Sequence, residues 1–180
     1  MQHLKKYFLL LITAIPAFCF AQDKDEELID WKPSRQLTWG DYKNNPAPNS
    51  DAAASTTTYL GIEYHIDENS FTWKIQCRFS KTKSWGSSKT DFILNHEQGH
   101  FYIAEIFARK LNKKMSEYHF NKNTFRKDLT TIYDGITAEK EAFQDLYDNE
   151  TDHSRKKEVQ EEWLKKIEMM LNELKDYSRY

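Results

Sequence analysis

Between Ser84 and Thr90 the hydrophobic pattern of this 180-residue chain changes period, and no other feature restricts its architecture as strongly. Upstream the period is two. Phe71, Trp73, Ile75, Cys77 and Phe79 alternate with Thr72, Lys74, Gln76, Arg78 and Ser80, the pattern of a strand with one buried and one solvated face. The segment from Thr56 to Ile66 is rich in β-branched and aromatic side chains, and Asp67-Glu68-Asn69-Ser70 supplies a hairpin-like turn between the two. Asn44 to Ser50 gathers turn residues and two prolines and reads as a loop. Downstream the period is helical. Phe92, Ile93, His96, Gly99, His100, Ile103, Phe107 and Leu111 recur three and four apart, with Ser88 or Thr90 as cap and Asp91 in the first turn. A second helix is predicted from about Thr124 to Leu146, weakened at its centre by Gly135. A third runs through Val159, Trp163, Ile167, Met170, Leu171, Leu174 and Tyr177. Strands first and helices afterwards predict an α+β domain: a small antiparallel sheet in the N-terminal half, then about three helices packed on one of its faces.

The first 21 residues stand apart from this domain. Lys5 and Lys6 precede an apolar run from Tyr7 to Ala17, and the small residues Cys19 and Ala21 close the segment. This is the layout of a secretory signal peptide cut after Ala21; the run is shorter than the roughly 20 residues of a spanning helix. Residues 22–180 are then one domain of a secreted or periplasmic protein with no transmembrane span. Its one remaining cysteine, Cys77, has no partner for an internal disulfide and reads as a small buried hydrophobe. A formal charge of -2 excludes nucleic-acid binding by bulk electrostatics.

The chemistry lies on the first helix. His96-Glu97-Gln98-Gly99-His100 is an H-E-x-x-H sequence inside an amphipathic helical pattern, the context that its mechanism requires. A spacing of four stacks the two imidazoles on one helical face, about 6 Å apart, so both reach one Zn2+ ion. Glu97 lies about 100° around the helix from His96, beside the metal and not on it, as a general base for a zinc-activated water must. Both histidines share the apolar stripe of Phe92, Ile103 and Phe107, where an imidazole without a partner carries a desolvation cost. Gly99, costly by about 1 kcal/mol inside a helix, is expected where metal or substrate needs the helix surface bare.

A catalytic zinc takes a third protein ligand and keeps one position open. The segment Tyr147 to His153, read as a connection between the second and third helices, is the richest source. Composition does not separate His153 from Asp148, Glu150 or Asp152, and Glu139 and Glu141 on the second helix are further candidates. His65 falls in a strand and His119 in the loop after the first helix.

Several segments together carry a family resemblance: Leu37-Thr38-Trp39 with Asp41-Tyr42; Ser84-Trp85; Leu94 to Glu105; Tyr147-Asp148 with Glu150-Thr151-Asp152-His153; then Gln160 and Trp163. In these the chain resembles a bacterial family of uncharacterised domains described as predicted secreted zinc-dependent proteases, in the H-E-x-x-H metallopeptidase grouping. The resemblance implies a zincin-like fold, zinc at His96 and His100, Glu97 as catalytic base, and the third ligand from Tyr147 to His153. It also implies a glycine after that last histidine, where this chain has Ser154. His153 ranks first as third ligand because a neutral imidazole suits zinc; Asp148 ranks second, as ligand or as the group orienting a ligand imidazole. Tyr147 or His119 is a candidate for polarising the scissile carbonyl. The expected function is an exported zinc metallopeptidase acting on a peptide or protein, with the substrate along a sheet edge beside the first helix. The rival readings are a non-catalytic cell-envelope module with a structural zinc, a metal-free binding protein using Trp31, Trp39, Trp73 and Trp85, and a zinc amidase acting on cell-wall peptides.

Overall fold

The computed structural model describes residues 26–46, 49–67 and 70–180; the signal-peptide reading of residues 1–21 lies outside them. The expected α+β order is found. Strands β1 (Leu28–Asp30), β2 (Ala54–Ser55), β3 (Thr58–Ile66), β4 (Phe71–Ser80) and β5 (Trp85–Gly86) precede helices α1 (Asp91–Ser116), α2 (Phe125–Thr151) and α3 (Lys157–Glu173). The main sheet is antiparallel in the order β1-β4-β3, and β2 pairs with β5 in a separate two-stranded ribbon. β3 and β4 form the hairpin, in register from Thr58↔Phe79 to Ile66↔Phe71.

β4 shows the alternation directly. Ile75, Cys77 and Phe79 are buried, Thr72 and Lys74 are exposed, and Arg78 pairs across the outer face with Asp30 of β1 at 3.0 Å. The buried row packs on α1, whose inner stripe of Phe101, Ile103, Ala104, Phe107, Ala108 and Leu111 is inaccessible to solvent. Cys77 is a free, buried thiol in this core. The tryptophans do not share a groove: Trp85 is buried, Trp39 covers Gly86, Trp73 donates to Asn112 Oδ1 at 2.9 Å, and Trp31 packs on Arg109. The β3 edge is engaged by α2, since the Tyr133 hydroxyl donates to the Leu60 carbonyl at 2.7 Å. Among the described residues, no helix is long and apolar enough to cross a membrane.

α1 begins where its cap predicts: Thr90 Oγ1 accepts from the Ile93 N–H at 3.2 Å. α2 departs from expectation by running on to Thr151. Gly135 faces open space and breaks nothing, while Ile136, Lys140, Gln144, Tyr147 and Thr151 recur on a buried face. That inward stripe holds the acidic run between them in helical form despite its loop-like composition.

Gly99 has a different reason from the one expected. A Cβ there would lie 2.5 Å from the Tyr147 hydroxyl and 2.9 Å from Cζ, so the bare helix surface admits Tyr147 of α2, not metal or substrate. Gly99→Ala should therefore lower stability by about 1–3 kcal/mol through overpacking, although alanine is the better helix former by about 1 kcal/mol. Urea unfolding checks this, and a midpoint at or above wild type contradicts it.

Candidate metal centre

The helical spacing places His96 and His100 on the α1 face that meets α2, and α2 presents Gln144, Tyr147, Asp148 and Thr151 to that face at the same three-and-four spacing. Three donor atoms converge. Asp148 Oδ1 lies 3.0 Å from His96 Nε2 and 3.0 Å from His100 Nε2, and the two ring nitrogens are 3.3 Å apart. Among the described residues, these three form the group able to hold a metal, with ligand atoms within 4.8 Å of one another.

The surroundings orient the donors. Gln144 Oε1 accepts from His100 Nδ1, and Gln144 Nε2 donates to the His100 carbonyl at 3.0 Å. With the proton held on Nδ1, the neutral ring turns its Nε2 lone pair to the shared point, as metal ligation needs. The His96 ring is fixed by stacking on Tyr147, with centroids 4.5 Å apart and planes 16° apart, and its Nδ1 is buried without a partner. Tyr147 is fully buried and donates to the His96 carbonyl at 3.3 Å. Burial and the charges of Glu97 and Asp148 keep its phenol neutral by raising its pKa far above the usual value. The Tyr147 hydroxyl, expected as a candidate for polarising a scissile carbonyl, lies inside the α1–α2 contact and bonds the His96 carbonyl.

Glu97 is buried, and its Oε2 has no hydrogen-bond partner. It is close enough to raise the pKa of Tyr42, Tyr147 and His100 by its charge. A buried carboxylate oxygen without a donor, within electrostatic reach of His100, fits a site that takes a cation and a water.

The other ligand candidates separate clearly. Glu139 and Glu141 point outward, toward Lys110 and Lys140. Glu150 accepts from Trp163 Nε1 at 2.7 Å, tying α2 to α3, and Asp152 faces Arg155. His65 and His119 are exposed outside the converging group. His153 stands at the rim, its side chain 58% exposed and its Nδ1 3.7 Å from Asp148 Oδ1. The Tyr147-to-His153 segment therefore contributes Tyr147, Asp148 and His153 to the site, with Asp148 nearest to both rings.

A strained turn places His153. Asp152, His153 and Ser154 all have positive φ, at 50°, 50° and 70°, a region costing about 1–2 kcal/mol for each non-glycine residue. The turn is held by the His153 N–H donating to the Asp148 carbonyl at 2.8 Å, and by the buried Thr151 hydroxyl donating to the Tyr147 carbonyl at 2.6 Å. The glycine implied at position 154 has its physical reason in that φ. Gln144 was missed by sequence reasoning, as nothing in composition marks one polar residue of α2 as the partner of His100.

The remaining segments of the resemblance make hydrogen bonds that tie the elements of the fold together. Gln98 Oε1 accepts from the Leu37 N–H at 2.7 Å, Asp41 accepts from Thr38 and Arg35, Ser84 Oγ accepts from the Thr57 N–H, and Gln160 Nε2 donates to the Phe92 carbonyl.

Over residues 23–154 the chain matches the family described as bacterial protein of unknown function, DUF922. The chain belongs to that family. The matched stretch takes in both sheets, α1, α2 and the turn through Ser154, and ends before α3. No curated protein and no solved structure matches the chain.

Electrostatics of this DUF922 site give a pH test. Burial opposes charge on His100, but the hydrogen bond to Asp148, the charges of Glu97 and Asp148, and Gln144 outweigh it and push the pKa up to about 9. Burial likewise opposes the Asp148 carboxylate, yet the two imidazoles hold it well below the usual carboxylate range. His100 thus contributes stability fully below its unfolded pKa of about 6.5, and the contribution is lost as pH rises through about 9. NMR titration of the metal-free protein should place the His100 midpoint near that value, and Asp148→Asn should lower it. A wild-type midpoint at or below the ordinary histidine value contradicts the geometry.

Proposed function

We propose that this chain is an exported zinc-dependent peptidase, hydrolysing peptide bonds with Glu97 as general base. The observation that carries the reading is the convergence of His96, His100 and Asp148, together with the unpartnered, buried Oε2 of Glu97, the residue after His96 on α1. The family match itself assigns no activity, so the chemistry rests on these residues. Zinc, when bound, supplies Lewis acidity to a peptide carbonyl and lowers the pKa of a coordinated water to about 7.

The chain's own residues do the rest. His96 and His100 would hold the metal through Nε2, each ring set by a neighbour: Tyr147 by stacking, Gln144 by a hydrogen bond. Asp148 would complete the ligand set and offset the metal's charge. Glu97 takes the proton of the attacking water at Oε2 and delivers it to the leaving nitrogen. His153 is exposed and lines a cleft together with Ala52 and Ala53. That cleft, and not the β3 edge that α2 engages at Leu60, is the place proposed for the substrate.

One observation favours a second reading. With Nδ1 3.7 Å from Asp148 Oδ1, His153 is near enough to serve as a fourth protein ligand, which would close the site and make it structural.

Glu97→Gln separates the two. The peptidase account expects zinc retained at wild-type stoichiometry and turnover of unstructured protein substrates reduced by about 10²-fold or more, with the chelated wild-type protein still folded by circular dichroism. Undiminished cleavage by Glu97→Gln removes Glu97 as the base. Unfolding on chelation, without cleavage by the zinc-loaded protein, selects the structural site.

A further inference from the structure

The cleft beside His153 has a volume of about 480 Å³. Its floor is the first turn of α1, with Phe92 and Ile93, and its near wall is the turn from His153 to Lys157. Two cations stand on that wall. The Arg155 side chain is 57% exposed and touches only Asp152, with Nη1 3.4 Å from both the backbone oxygen and Oδ1. At that distance the contact is weak, so most of the planar guanidinium fork is free for a carboxylate. The Lys157 ammonium lies 5.4 Å from the centre of the Phe92 ring on the cleft floor and has no ion-pair partner among the described residues. Asp51, on the opposite side, is the one acidic side chain lining the cleft.

The rest of the molecule is net acidic. Arg155, held only at the long limit of a contact by Asp152, and Lys157 therefore put two cations beside an aromatic ring in one concave site, against the overall charge. The small side chains of Ala52, Ala53 and Ser154 leave room for a chain to lie between the walls.

We infer that the substrates of this site carry a carboxylate close to the bond cleaved, held in the cleft by Arg155 and Lys157. The carboxylate comes either from an Asp or Glu side chain or from the free end of a peptide; both present the same planar anion to the guanidinium fork. This rests on the peptidase reading for the nature of the substrate, and on the charges of the cleft for its preference. His153 links the two, since it lines the cleft and faces Asp148.

The test uses one peptide scaffold carrying Glu, Gln or Lys at the same positions, each made as free acid and as C-terminal amide. Binding is read by fluorescence anisotropy on zinc-loaded Glu97→Gln, and cleavage on the zinc-loaded wild type. The Glu peptide should bind about tenfold more tightly than the Lys peptide, the discrimination expected of a partly desolvated charged hydrogen bond. The charge-reversed Arg155→Glu/Lys157→Glu protein should lose that preference with zinc content unchanged. A gain that follows the free acid alone assigns the anion to the chain end; one that persists in the amide assigns it to the side chain.

Equal binding of all peptides, binding of none, or a preference surviving charge reversal overturns the inference. Cleavage without charge preference overturns it and leaves the peptidase standing. Tight binding of acidic peptides that the wild type does not cut keeps the cleft's preference for a carboxylate and removes the peptidase and, with it, the bond cleaved.

Discussion

Two imidazoles on one helix need a third donor from elsewhere in the chain, and the site depends on how closely α2 can approach α1 to provide it. Gly99 makes that approach possible, because the Tyr147 ring occupies the space where any side chain at 99 would stand. Tyr147 then does three things from one buried position: it fills the α1–α2 contact, stacks on His96, and donates to the His96 carbonyl. Asp148, the next residue, turns to the other side of the same contact and meets both ring nitrogens. Positioning and the third candidate ligand thus come from neighbouring residues on one helix, so a change that shifts α2 moves both together.

The remainder of the fold braces this contact. The sheet supplies an apolar bed for α1 through Ile75, Cys77 and Phe79. α3 locks α2 from behind, with Trp163 packed against Tyr147 and Phe143 and bonded to Glu150, and Gln160 ties α3 to the first turn of α1. Buried polar groups that converge without neutralising partners are costly. In the metal-free state a protonated His100 facing an ionised Asp148 offsets part of that cost, and a divalent cation would take the place of the proton. The strained turn from Asp152 to Ser154 adds a further cost, at the point where the site opens to the cleft.

Much of this was legible in the sequence, for identifiable reasons. β4 shows its strict alternation over ten residues and matches its observed span; α1 has both a cap and a long apolar stripe, so its start and its face were readable. The approach of the two histidine rings to each other followed from their spacing of four. β1 was not legible as a strand, since three residues carry no period. The end of α2 was misplaced because Asp145 to Asp152 has the composition of a loop, and its helicity comes from tertiary burial of Gln144, Tyr147 and Thr151. The order of Asp148 and His153 could not be read from composition. Where each stands relative to the two rings depends on where the helix stops and on three successive left-handed residues, neither of which residue type alone reveals. Gln144 and the reason for Gly99 depend on a contact between helices more than forty residues apart, which no local pattern encodes.

The central claim is that Asp148, carried by α2, completes a metal centre with the two histidines of α1. Zinc content per chain, measured after purification without chelators for wild type, His96→Ala, Asp148→Ala and His153→Ala, tests it most directly. The account predicts about one zinc in the wild type, loss in His96→Ala and Asp148→Ala, and retention in His153→Ala. Zinc retained by Asp148→Ala and lost from His153→Ala, or no zinc in the wild type even after metal is added back, would contradict it.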